Sequence, residues 1–267
     1  MLFCWDTYFA ALLAMVDNKN LAYANLVAIT REATEKGFVP NFGAANDDKS
    51  RDRSQPPVGA HALLSVYQKY GEKWILEELY DQLLCWNRWW PDNRMTQDRV
   101  LCWGSNPYEL RNGKFYENYG TNDWQGAAFE SGLDNSPMYD NVPFDPDTHR
   151  MCLADVGLTG LYIMDCEALA DISALLNRPE EETELRERAR EVKAGLEGLW
   201  DEETGMYQNK RTDTGEFYRR LSPTNFYALF SDRVSDEHKA RMMEHFYNPQ
   251  EFWGEFILPA IARNDPA

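Results

Sequence analysis

Positive charge is scarce in this chain. Its 267 residues include 27 Lys+Arg against 44 Asp+Glu, a net charge of 27 − 44 = −17. That field repels phosphate backbones and anionic lipid headgroups, so neither nucleic acid nor a membrane surface is an expected partner. No run of about 18 apolar residues is present, which excludes a transmembrane helix. Met1 leads straight into Phe3-Cys4-Trp5-Asp6 without a basic start, so no signal peptide is expected. Histidine is limited to four residues, too few and too scattered for a His-based metal centre. The five cysteines (4, 85, 102, 152, 166) are odd in number and lack C-x-x-C spacing. They read as reduced thiols in a reducing, cytoplasmic compartment. There is no G-x-G-x-x-G, Walker loop, G-x-S-x-G elbow or H-E-x-x-H, so no cofactor or metal is expected. Asp145-Pro146-Asp147 begins like a calcium loop but lacks its glycine and terminal glutamate, and reads as a turn.

Aromatic residues are plentiful: nine Trp, fourteen Tyr and thirteen Phe, within a hydrophobic content of 43% that supports a sizeable core. They serve either as girders of that core or as rings lining a cleft that stacks on sugar faces. Helical signals come in pairs. Trp5, Phe9, Leu12, Leu13 and Val16 recur at helical spacing, and a second helix is expected over about 21–36. Pro56-Pro57 open a third, ending at Gly71; its partner runs from Trp74 to Trp90 and stops at Pro91. A long helix is expected from Asp155 to Leu176, and its partner from Pro179, with Glu180-Glu181-Glu182 suiting the helix dipole, to near Trp200. Turns at Glu203-Thr204-Gly205 and Asp213-Thr214-Gly215 flank short strands. Ser222-Pro223 and Ser235 introduce the last pair. His238 and His245 fall on a surface helix as solvated side chains. The sum is about eight helices in antiparallel pairs: an all-α bundle, solenoid or α/α toroid.

Residues 91–150 break the period. Their Asn, Asp, Gly and Pro mark an irregular segment, and their aromatics argue for order and function. Within it lies Glu130-Ser131-Gly132-Leu133-Asp134-Asn135. A carboxylic acid held in an ordered loop among rings suits protonation of a departing glycosidic oxygen. If the hairpins alternate up and down, all first-helix starts share one face. That rim collects Trp5-Asp6, Arg53-Ser54-Gln55-Pro56-Pro57, the Asp134 loop feeding Asp155, and Leu221-Ser222-Pro223-Thr224-Asn225. Taken singly, each residue has a bland role. Asp134 is a turn residue, Asp6 and Asp155 are N-caps, and Gln55 caps the next helix. Glu130 is either a second acid or an acceptor pinning the loop.

Four ordered motifs resemble glycoside hydrolase family 63, especially its bacterial members related to mannosylglycerate and glucosylglycerate hydrolases. They are Trp5-Asp6-Thr7-Tyr8-Phe9, Gly37-Phe38-Val39-Pro40-Asn41, Ser54-Gln55-Pro56-Pro57 and Glu130-Ser131-Gly132-Leu133-Asp134. Trehalases are similar in the last of these and in the helix start that follows, here Ala154-Asp155-Val156-Gly157-Leu158. The resemblance implies an (α/α)6 toroid that hydrolyses small α-glycosides with inversion. It makes Asp134 the general acid and Trp5, Asp6 and Gln55 contacts to sugar hydroxyls, with Phe129, Glu130 and Gly132 completing the substrate-binding set. Phe129 stands where many members have Trp, which keeps a ring and loses an indole hydrogen bond. The calcium turn of some relatives is not preserved at 91–96. The family's Tyr-Trp-rich segment and general base lie beyond the motif at Trp253–Pro259, so residues 1–267 are expected to form a single partial domain lacking its C-terminal helices. Glu255 is the in-chain stand-in for the base. Uncovered helix faces favour self-association. The competing readings are a non-catalytic helical carbohydrate-binding or scaffold module, and a toroid lyase or epimerase, which the scattered histidines support little.

Overall fold

The computed structural model describes residues 1–45, 47–108 and 123–266. Its α-helices are α1 (Cys4–Ala14), α2 (Lys19–Thr30), α3 (Gly59–Tyr70), α4 (Trp74–Arg94), α5 (Trp124–Ser131), α6 (Val156–Leu175), α7 (Pro179–Glu197) and α8 (Asp236–Phe246), with a 3-10 helix at Pro223–Phe230. Consecutive helices pair as hairpins: α1 with α2, α3 with α4, α6 with α7. The first members also pack on one another in order, α1 on α3, α3 on α6, and α6 on the 3-10 helix. That arc of inner helices backed by outer partners is an incomplete α/α toroid. The inner position of α6 explains its composition, because a helix buried on nearly every side needs apolar residues all round. Short antiparallel ladders join the hairpins: β1 (Leu2–Phe3), β2 (Phe42–Ala44) and β3 (Asp48–Lys49) form one sheet.

Several helix ends differ from expectation. Pro91 lies inside α4. A proline leaves the carbonyl four residues earlier without its helical donor; here that carbonyl, of Asn87, accepts the Tyr162 hydroxyl at 3.0 Å. The second helix ends at Thr30 rather than near Lys36, and α3 begins at Gly59, two residues past Pro57. The irregular segment contains α5, whose start is capped by Asp123 accepting from the Gly126 N–H at 2.9 Å. Glu130 and Ser131 are therefore its last turn and not loop. Residues 109–122 of that segment lie outside the described residues. Asp155 is the N-cap of α6, accepting from Leu158 N–H at 2.8 Å. Asp6 is not a cap, because α1 starts at Cys4 and places it in the first turn, where its charge suits the helix dipole. Of the residues at helical spacing, Phe9 and Leu13 on α1 and Val16, two residues beyond its end, are exposed. The expected solvated histidines are engaged: His238 stacks on Trp200 with centroids 3.6 Å apart, and His245 bridges Glu251 and the Thr204 carbonyl.

One buried acid makes a pH-dependent contribution to the core. Asp165 on α6 accepts from Asn87 Nδ2 (2.7 Å) and from the Ala60 N–H (3.4 Å). Burial outweighs these bonds and raises its carboxyl from 3.8 to about 7. The folded chain then holds a proton that the unfolded chain releases at lower pH. The stabilising contribution is complete below pH 3.8 and is lost as pH rises through about 7. Asp165→Asn is expected to flatten this dependence, read as a smaller difference between urea unfolding free energies at about pH 5 and about pH 8. An unchanged difference would refute it.

Candidate active site

The start of α1, the loop before α3 and the end of α5 meet around a cavity of about 370 Å³. Its lining includes Trp5, Asp6, Gln55, Phe129, Gly132 and Asp134. Specific bonds hold these elements together. The Trp5 N–H, one of the unpaired donors at the start of α1, donates to Gln55 Oε1 at 3.2 Å. Asn41 Nδ2 donates to the Phe129 carbonyl at 3.1 Å. Gly132 closes α5 in the left-handed region at φ +69°, and a Cβ there would stand 2.5 Å from Trp5 Cζ2. The glycine serves both backbone conformation and the close approach of the Trp5 indole.

Asp134 is exposed at the cavity mouth beside Asp6. Desolvation by the surrounding chain raises its carboxyl above the ordinary value, and the nearby Asp6 carboxylate adds to the rise; its own backbone N–H and the Arg53 guanidinium oppose it. A carboxyl with raised pKa next to rings is suited to hold a proton for transfer.

Glu130 does not reach the cavity. Its side chain is fully buried and both oxygens are occupied. Oε1 accepts from Arg94 Nη2 (2.9 Å) and Ser54 N–H (3.0 Å), and Oε2 from Arg94 Nε (2.6 Å) and Gly104 N–H (2.7 Å). The expectation of sugar contact is corrected accordingly, since every lone pair that could meet a hydroxyl is taken. Glu130 is instead a clamp joining α4, the Ser54-Gln55 loop and α5. Glu255 is exposed and lies outside the cavity lining. The starts of α6 and the 3-10 helix adjoin each other, with Gly157 against Thr224, yet neither lines this cavity.

Arg53, Asn41, Phe42 and Phe3 also line it; the sequence reading placed Arg53 on the rim and Asn41 in a motif without giving either a role, and did not single out Phe42 or Phe3. Arg53 is buried, pairs with Asp52 at 2.8 Å, and lies 5.1 Å from the centroid of the Phe129 ring. Its Nε is buried without a partner among the described residues. Its place just before Ser54-Gln55 was the available signal. Among the described residues no group of three or more His, Cys, Asp or Glu side chains is arranged to hold a metal ion, and no helix is long and apolar enough to cross a membrane.

The arc of paired helices defines the class of fold, an incomplete α/α toroid with acids and rings gathered at one cavity. The model of the mannosylglycerate hydrolase MGH1-like glycoside hydrolase domain matches residues 2–267, and the chain belongs to that family. Among curated protein sequences none matches. Among solved structures the chain is similar to the GH63 mannosylglycerate hydrolase from Thermus thermophilus in complex with glucose (TM-score 0.79, 19% identity, 99% of this chain and 73% of that one). It is also similar to the neutral trehalase of Saccharomyces cerevisiae (TM-score 0.74, 17% identity, 98% and 55%). At these identities the likeness is one of fold.

Proposed function

We propose that this chain carries the acid side of an inverting, exo-acting α-glycosidase site for small α-glucosides or α-mannosides, of the glucosylglycerate or mannosylglycerate kind or short oligosaccharides. The observation that carries the reading is the shared cavity, in which an exposed carboxyl of raised pKa, Asp134, sits with two rings, Trp5 and Phe129, and with the polar Asp6 and Gln55. Asp134 protonates the departing oxygen. Trp5 and Phe129 flank the sugar, and Asp6 and Gln55 bind its hydroxyls. Relatives of this fold have been solved with glucose and with D-glycerate, which supports a sugar bearing a small polar aglycone.

Inversion needs a second carboxyl roughly 6.5–9.5 Å from the first, with room for water. Asp6 is committed to the sugar, and Glu255 is outside the cavity. We assign the base to further helices that complete the ring, so that residues 1–267 act as one partial domain. Two uncovered apolar edges support this: Phe9 and Leu13 on α1 with Val16 just after it, and Trp253, Phe256 and Ile257 near the other end. In isolation the same edges favour self-association.

The test combines binding with turnover. Glucose, mannose and glycerate are titrated against the 267-residue chain by tryptophan fluorescence, and glucosylglycerate hydrolysis is followed beside p-nitrophenyl α-glucoside and α-mannoside. Expected are saturable sugar binding, weakened in Gln55→Ala, and turnover close to the buffer blank. Ready turnover that disappears in Asp134→Asn would keep the glycosidase and overturn the partial-site reading. Absence of any sugar binding would overturn both.

A further inference from the structure

A second cavity, about 640 Å³, lies against the far end of the same segment. Two of its lining residues are Cys102 and Cys152. Fifty positions separate them, so sequence spacing gives no hint of a pair. The backbone register does. Ser105 N–H donates to His149 O (3.0 Å), Met151 N–H donates to Trp103 O (2.8 Å), and Gly104 is bridged antiparallel to Arg150. One further step from the 103/151 pair places Cys102 opposite Cys152, where the chain bends and the next bond, from Asp155 N–H to Leu101 O (2.8 Å), leaves the register. In antiparallel alternation 105/149 and 103/151 are hydrogen-bonded pairs, which makes 104/150 and 102/152 non-hydrogen-bonded pairs. Such pairs bring Cα atoms to about 4.5 Å and put both side chains on one face.

The remaining bonds agree. Cys102 N–H donates to Arg94 O (2.9 Å), Cys152 N–H to Pro143 O (2.8 Å), and Cys152 O accepts from Thr212 N–H (3.2 Å). Each cysteine thus directs its backbone groups away from the other. A disulfide spans Cα separations of about 4.4–6.8 Å, so no large backbone movement is needed to join them.

The cavity is lined by charges of both signs in balance: Arg150 and Lys210 stand with Asp98 and Asp145, and Arg211 is paired with Asp213. We propose that Cys102 and Cys152 are a cross-strand dithiol that closes to a disulfide on reaction with a low-molecular-weight disulfide admitted through this cavity. Cys152, only partly buried, loses its proton and attacks one sulfur of the oxidant. The oxidant's S–S bond breaks, and one small thiol departs with that proton. The Cys102 sulfur then attacks Cys152 sulfur, and the second small thiol leaves with the Cys102 proton. Two protein thiols are oxidised and one external disulfide is reduced to two thiols. Burial pushes the Cys102 thiol up to about 12 and raises that of Cys152, so closure is slow at neutral pH and faster in base. The same groups are poor leaving thiolates, so the bond resists reduction once made. The loop it closes, 102–152, carries Phe129, Gly132 and Asp134, and the bond would tie both ends of that segment.

The experiment exposes the purified chain to glutathione disulfide at about pH 8.5, followed by acid quench, alkylation and peptide mass mapping. Expected is a species lighter by two hydrogen atoms, a linked peptide pair containing residues 102 and 152, and a thermal midpoint raised by several degrees. Cys85→Ala, at an exposed cysteine outside this cavity, should retain all three, and Cys152→Ala should lose them. Accumulation of a glutathione adduct at Cys152 without closure would overturn the proposal. So would free Cys102 and Cys152 after exhaustive treatment. The wild-type peptide map decides the matter even if Cys152→Ala fails to fold.

Discussion

Glu130→Gln is expected to lower the unfolding free energy by about 3–5 kcal/mol, the range found when one partner of a buried ion pair is removed. Arg94 and Glu130 are both fully buried and bonded through two parallel contacts. A neutral amide leaves the Arg94 guanidinium charged without a counter-charge. It also turns NH2 hydrogens toward donors, since Arg94, Ser54 N–H and Gly104 N–H all point at this side chain. Urea titration read by fluorescence and by circular dichroism gives the loss, with an unchanged slope marking the same unfolding reaction. The double variant Arg94→Met with Glu130→Leu should recover part of the stability, because no charge is stranded, although Ser54 and Gly104 still lose their acceptor. A loss below about 1 kcal/mol for Glu130→Gln would place this pair among weak, solvated ones and refute the clamp. Ser54 adjoins Gln55 and Glu130 adjoins Phe129, so sugar affinity should fall along with stability.

Gly132→Ala is expected to cost about 2–4 kcal/mol, combining left-handed backbone strain with overpacking. The strain follows from φ +69°, and the overpacking from a Cβ placed 2.5 Å and 2.6 Å from Trp5 Cζ2 and Cε2. Gly71 supplies the control. It has nearly the same φ, +71°, and nothing within 4 Å of an added Cβ. Gly71→Ala therefore reports strain alone, about 1 kcal/mol, and the excess at Gly132 reports the collision with the Trp5 indole. That excess should appear in function too. Displacing Trp5 reshapes the cavity wall, so sugar affinity should fall in Gly132→Ala and stay at the wild-type level in Gly71→Ala. Equal losses of stability at the two glycines would mean that the indole yields freely, and that it is not held for a ligand.

Much of the frame was legible because it is written in local signals. Asn18, Asp155 and Ser235 accept from the N–H three residues ahead, so side chains of that type announce helix starts. The hairpin order follows from apolar spacing and from Gly71, whose N–H returns to Tyr67 O. The cavity residues Trp5, Asp6, Gln55, Phe129, Gly132 and Asp134 were legible through motif resemblance, although spacing alone left each with an ordinary role. What escaped was set by partners distant in sequence. Pro91 stays helical because Tyr162, seventy-one residues later, satisfies the stranded Asn87 carbonyl. Glu130 faces inward because Arg94 waits there, and Arg53 enters the cavity wall beside Phe129.

Composition and periodicity determined the helical pairs and the net acidic charge, because those depend on neighbours within a few residues or on summed charge. Tertiary structure alone decided which carboxyl meets the cavity and which is locked in the core. The same is true of the opposition of two cysteines fifty positions apart. A side chain's direction and the groups that satisfy it are fixed only when remote segments pack, and no local pattern encodes that meeting.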